Sequence, residues 1–195
     1  MKPRSIIVLG AGISGLATAS LLAKAGNKVT VIEGASWVGG KSKRIVVDGQ
    51  RMDTGPALVT FPGVWQEFIR RYDSLGTGPK ASEIAPITFE PLAEVGEYFY
   101  KGDKCLLPVE AGNKWHEPWE KFEAVHGKLD KEITTLLTNT SMSPKAFPAV
   151  SKLVSNYGLR LTTKSYLDGL KWLPEGLKEV ISIHTLNAGV APEST

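Results

Sequence analysis

Apolar positions change period along this chain, and each change predicts an element. Ile6-Ile7-Val8-Leu9 is a continuous apolar run, the pattern of a buried parallel strand over residues 5–9 in a sheet covered on both faces. Leu16, Ala17, Ala19, Leu21, Leu22 and Ala23 predict a helix over 14–25, with Gly26 as its stop. A second β-branched run, Val29-Thr30-Val31-Ile32, predicts a strand over 28–33. Val46-Val47-Asp48-Gly49-Gln50-Arg51-Met52 reads as a hairpin turning at Asp-Gly. Pro62 opens a helix to about Tyr72 that carries Val64, Trp65, Phe68 and Ile69 on one face.

Between Asp73 and Pro86 the composition shifts to Gly, Pro, Ser and Thr, which marks a linker or long loop. Residues 87–92 are short and apolar enough for a strand, and 97–109 read as a hairpin turning at Gly102-Asp103. From about Pro118 the period becomes helical. Trp119, Phe122, Leu129, Ile133, Leu136 and Leu137 form one apolar stripe, expected to pack into a core rather than onto a membrane. Ser143-Pro144 and Leu173-Pro174 are helix-start signals, and further helices are expected over about 148–157, 163–172 and 175–187.

The glycines give the first of these segments a chemistry. Gly10, Gly12 and Gly15 follow the first strand in the spacing G-x-G-x-x-G, and Glu33 ends the second strand 18 residues later. This is the fingerprint of a βαβ dinucleotide-binding unit. Gly10 allows a sharp turn, Gly12 a close approach of pyrophosphate, and Gly15 close packing of the helix on the strands. A helix starting near Ser14 aims free N–H groups and a partial positive charge at the phosphates. Glu33 can accept hydrogen bonds from ribose hydroxyls and would repel a 2′-phosphate, which disfavours NADP.

Composition narrows the rest. The chain has 195 residues, enough for one large domain or parts of two. Its net charge of +3 is small and scattered, which argues against nucleic acid as a partner. Cys105 is the sole cysteine, so no intrachain disulfide can form, and a reducing, cytoplasmic compartment is expected. His116, His126 and His184 lack ligand spacing, so no metal site is expected. Lys2, Arg4 and the apolar run to Ala23 outline a signal peptide, but the fingerprint register continues past any cleavage site to Val31 and Glu33.

Two further motifs separate the dinucleotides. Gly39-Gly40-Lys41 follows Glu33 by six residues, and Asp53-Thr54-Gly55-Pro56 follows the hairpin. Bare backbone plus a cation suits a doubly charged group. In this order the parts resemble the flavoproteins with two dinucleotide-binding domains, which include amine oxidases and carotenoid desaturases. The whole resembles the N-terminal part of a bacterial or fungal type phytoene desaturase.

The resemblance implies an α/β fold: a Rossmann-like FAD/NAD(P)-binding βαβ domain, incomplete, over residues 1–75, and part of a second α+β substrate domain over 76–195. It implies FAD as cofactor, with pyrophosphate at Gly10, Gly12, Ser14 and Gly15 and adenosine ribose at Glu33. Gly39, Gly40 and Lys41 would line the phosphate side, with Gly55 and Pro56 near the flavin. It implies dehydrogenation of a carbon–carbon bond in a hydrophobic, carotenoid-type substrate by hydride transfer to flavin, with peripheral membrane contact. No catalytic residue is assigned; Asp53 is read as ordering the turn before Gly55. Family members are considerably longer, so a fragment lacking the C-terminal completion of the FAD domain is expected. Three alternatives stay open: an amine oxidase-like enzyme, a simple NAD-dependent dehydrogenase, and a truncated non-catalytic nucleotide-binding fragment.

Overall fold

In the computed structural model the chain divides into two units, residues 1–89 and 90–195. All residues are described except Met1, Ala57, Thr77, Ser141, Met142, Leu159, Leu161, Ala188, Gly189 and Thr195; Leu186 and Asn187 are described by backbone alone.

The first unit begins with β1 (Ser5–Leu9), α1 (Ile13–Lys24) and β2 (Lys28–Ile32). The strands pair in parallel from Ser5↔Lys28 to Leu9↔Ile32, which requires the crossover that α1 provides. Gly26, at φ +88°, ends the helix, and its N–H donates to the Ala23 carbonyl. The Asn27 side chain ties this corner together, donating to Leu22 O and accepting from the Arg4 N–H.

The expected burial of β1 on both faces is corrected by the structure. α1 covers the Val8 face, but Ile7 is 65% exposed and Leu9 78%. Among the described residues this sheet has only two strands and one covering helix, so its second face lacks a packing partner.

A hairpin follows, β3 (Arg44–Val47) and β4 (Gln50–Asp53), closed by Asp48 at φ 50° and Gly49 at φ 77°. Both turn positions have positive φ, as a two-residue hairpin with right-handed strand twist requires. α2 (Pro62–Asp73) stacks Trp65, Phe68 and Tyr72 along one side. The Lys24 ammonium donates to Pro79 O at 2.7 Å and lies 4.9 Å from the Tyr72 ring centroid. One helical turn, α3 (Ala81–Ile84), interrupts the expected linker. The strand expected over 87–92 is absent: the segment is apolar, but Pro86 and Pro91 remove ladder donors and no strand pairs with it.

In the second unit β5 (Gly96–Tyr100) and β6 (Asp103–Leu107) form an antiparallel hairpin. Its turn is Lys101-Gly102, both at positive φ, one residue earlier than expected. Helices follow: α4 (His116–His126), α5 (Asp130–Thr138), α6 (Phe147–Tyr157), α7 (Thr163–Gly169) and α8 (Glu175–Asn187). The Thr162 hydroxyl caps α7 through the Ser165 N–H. Cys105, Leu107, Val109, Trp115, Leu167, Leu173, Leu177 and Val180 make the core, with Trp119 and Phe122 packed against it. The apolar stripe is broken by a 3₁₀ turn at Gly127–Leu129; Leu129 is buried, whereas Leu137 is 54% exposed and does not join the core.

α4, α6 and α7 meet at His126. Its Nδ1 lies 3.2 Å from the Tyr157 hydroxyl and its Nε2 3.2 Å from that of Tyr166. A neutral imidazole has one donor and one acceptor, which two hydroxyls can satisfy. Burial holds the His126 ring below its ordinary pKa. The fold therefore favours the neutral ring, and its contribution is complete above the ordinary value of 6.5 and lost as pH falls through the lower folded value. Denaturant midpoints should drop between pH 7 and pH 5, and His126→Gln should remove much of that slope; an unchanged slope would place its origin elsewhere.

Candidate functional site

The three glycine motifs, scattered over 46 residues from Gly10 to Gly55, come together around the start of α1. Gly10 turns at φ +92°, and its N–H donates to Ile32 O at 2.7 Å, continuing the β1–β2 ladder by one step. A Cβ on Gly15 would overlap the Gly10 carbonyl oxygen and stand 3.6 Å from Val8 Cγ1. Gly15 is thus what lets α1 lie against β1.

Gly39 and Gly40 do not form a free surface turn. The Gly39 N–H donates to Ala11 O at 2.7 Å, and Gly12 and Gly39 form a parallel bridge. A Cβ on Gly40 would stand 3.0 Å from Gly12 Cα, with Gly40 at φ +61°. One on Gly12 would meet only ordinary contact, 3.9 Å from Gly40 Cα. The close approach of these two loops therefore demands glycine at Gly40 more strictly than at Gly12. Gly55 closes the cluster, since a Cβ there would overlap the Lys41 carbonyl oxygen. The Ser14 and Lys41 side chains are exposed beside it, as is Pro56.

α1 begins with Gly12 at its N-cap, which supplies no side-chain cap, and no acid stands in its first turn. The orphan N–H groups and the positive helix end are left available to an anion. Glu33 accepts from the Ala11 N–H at 2.7 Å and from the Ala35 N–H at 2.8 Å. These bonds, that from Ala35 first, lower its pKa below the ordinary carboxylate value. Each oxygen retains a second lone pair for a hydroxyl.

Two supports were not read from the sequence. Lys43 Nζ sits 3.7 Å from the Trp37 ring centroid, fastening the loop that carries Gly39-Gly40. Asp53 accepts from Arg44 at 2.7 and 3.3 Å across the hairpin, which lowers its pKa and keeps it an anion. The Thr54 hydroxyl donates to Lys43 O at 2.9 Å, so this segment is anchored directly before Gly55. No helix among the described residues is long and apolar enough to cross a membrane.

The family model described as an NAD(P)-binding Rossmann-like domain matches residues 8–72, the segment that contains all ten candidate site residues. The chain is 41% identical over 88 residues to a phytoene desaturase of Fusarium fujikuroi, covering 45% of this chain and 15% of that protein. It is 44% identical over 125 residues to a phytoene desaturase of Neurospora crassa, covering 60% of this chain and 20% of that one. With a 4,4'-diapophytoene desaturase of Staphylococcus aureus it shares 26% identity over 203 aligned positions, covering 96% of this chain and 39% of that protein. The chain thus spans well under half the length of these relatives. Among solved structures, a double mutant of putrescine oxidase from a redesign of its cofactor binding superposes with a TM-score of 0.53 at 19% identity, over 93% of this chain and 36% of that one. That likeness shows the fold. Motifs, family model and relatives together show a chain that carries a Rossmann-like dinucleotide-binding segment and is similar to carotenoid desaturases over part of their length.

Proposed function

We propose that residues 1–75 bind FAD and that 76–195 form part of a substrate domain, within an oxidoreductase of the phytoene desaturase type. The observation that carries this reading is the convergence of Gly15 on Gly10, Gly40 on Gly12 and Gly55 on Lys41 around an uncapped helix start. Such a cradle suits a pyrophosphate, so the residues present fit the cofactor.

In this reading Gly10, Gly12, Ser14 and Gly15 offer backbone N–H groups to the pyrophosphate, and Glu33 takes the adenosine ribose. Gly39, Gly40 and Lys41 flank the phosphates, with Gly55 and Pro56 toward the flavin. Bound flavin would supply the hydride acceptor for dehydrogenating a carbon–carbon bond, while the protein orients the reactants and keeps the site dry. Asp53, paired with Arg44, serves the hairpin. The curated relatives favour a carotenoid-type substrate over an amine, with contact to the membrane surface where such substrates reside. The purified chain, mixed with FAD and desalted, should retain the yellow flavin absorption and reject NADP. A colourless chain would overturn the claim that these residues suffice for FAD.

A further inference from the structure

We infer that Glu33 has a second task, resting on the dinucleotide reading above: it clamps the turn after β1 to the segment after β2 and so sets the phosphate-facing backbone before any ligand arrives. Ala11, 2% exposed, stands between Gly10 and Gly12 and is held from both sides. Its N–H donates to Glu33 Oε2 at 2.7 Å, and its carbonyl accepts from the Gly39 N–H at 2.7 Å. The other oxygen, Oε1, holds the Ala35 N–H at 2.8 Å, at the start of the segment that leads to Gly39. One carboxylate thus joins two of the three segments whose glycines make the cradle. A ribose acceptor alone would need no such bonds to the protein's own amides.

The chemistry distinguishes the two roles. A glutamine side chain reaches as far as glutamate, and it can still hydrogen-bond ribose hydroxyls. It has only one acceptor oxygen, however, so its NH₂ would face one of the two backbone N–H donors. Glu33→Gln keeps the ribose contact in kind and breaks the clamp.

The test is amide hydrogen exchange on the ligand-free chain, followed by titration with inorganic pyrophosphate and with FAD. At least one of the Ala11 and Ala35 amides of Glu33→Gln, the one that faces the new NH₂, should exchange about tenfold faster than in the parent chain, while amides in the middle of α2 stay unchanged. In the parent chain this protection should fade only as the pH drops below the ordinary glutamate value of 4.5, because the carboxylate is the bonded form. Pyrophosphate, which has no ribose, should also bind the variant several-fold more weakly. Unchanged exchange at both amides overturns the clamp, and so does FAD weakening alone with pyrophosphate binding intact. If the parent chain binds neither ligand but the exchange result holds, the cofactor reading fails and the clamp stands.

Discussion

Gly15→Ala should weaken FAD binding by about tenfold or more while leaving the second unit's stability unchanged. The added methyl would overlap the Gly10 carbonyl oxygen and stand 3.1 Å from the Gly10 carbonyl carbon. Both are backbone atoms of a turn already held by the Gly10 N–H bond to Ile32 O, so no flexible side chain can move aside. α1 must tilt or slide, at a cost of about 1–3 kcal/mol for an overpacked contact. The N–H groups that face the phosphates move with the helix, and each ~1.4 kcal/mol of lost alignment is a tenfold loss of affinity. Thr18→Ala, on the exposed side of the same helix, is the control and should bind FAD as the parent does. Equal affinities for the parent and Gly15→Ala would mean that the cradle does not set the binding geometry.

The largest stability effect should come from the second unit. Leu177 is 0% exposed and packs among Trp115, Leu167, Leu173 and Val180. Leu177→Ala should lower the unfolding free energy by about 2–5 kcal/mol, the transfer term plus the cavity left behind. Leu137, on the same predicted stripe as core residues yet 54% exposed, should tolerate alanine within about 0.5 kcal/mol. Denaturant titrations of the two variants would separate them. Equal losses would show that the core does not lie where the buried residues place it.

The site was more legible than the packing around it. G-x-G-x-x-G, the strand-end glutamate and Asp-Gly in the hairpin are local statements, because turn geometry and positive φ restrict residue choice at single positions. Sequence could therefore name Gly10, Gly15, Glu33 and Gly49 and their surroundings. It could not show that Gly40 packs on Gly12 or Gly55 on the Lys41 carbonyl, since those contacts join segments far apart in the chain. The Arg44–Asp53 pair and the Lys43–Trp37 contact were missed for a related reason: each needs two side chains to be brought onto one face by a turn. The strand misread at 87–92 shows the limit of composition, because a strand exists only where a partner accepts its backbone bonds.

What the sequence determined by itself is the βαβ fingerprint, the acid that directly follows β2, and the order of the glycine motifs, because residue type and spacing are local properties of the chain. Which faces are buried was decided only by tertiary structure. Ile7 and Leu9 read as core but stand open, because burial depends on what packs against a strand and not on its own residues. The cradle itself is also a tertiary product. Three glycine motifs become one site because α1 and two loops approach more closely than any side chain would permit.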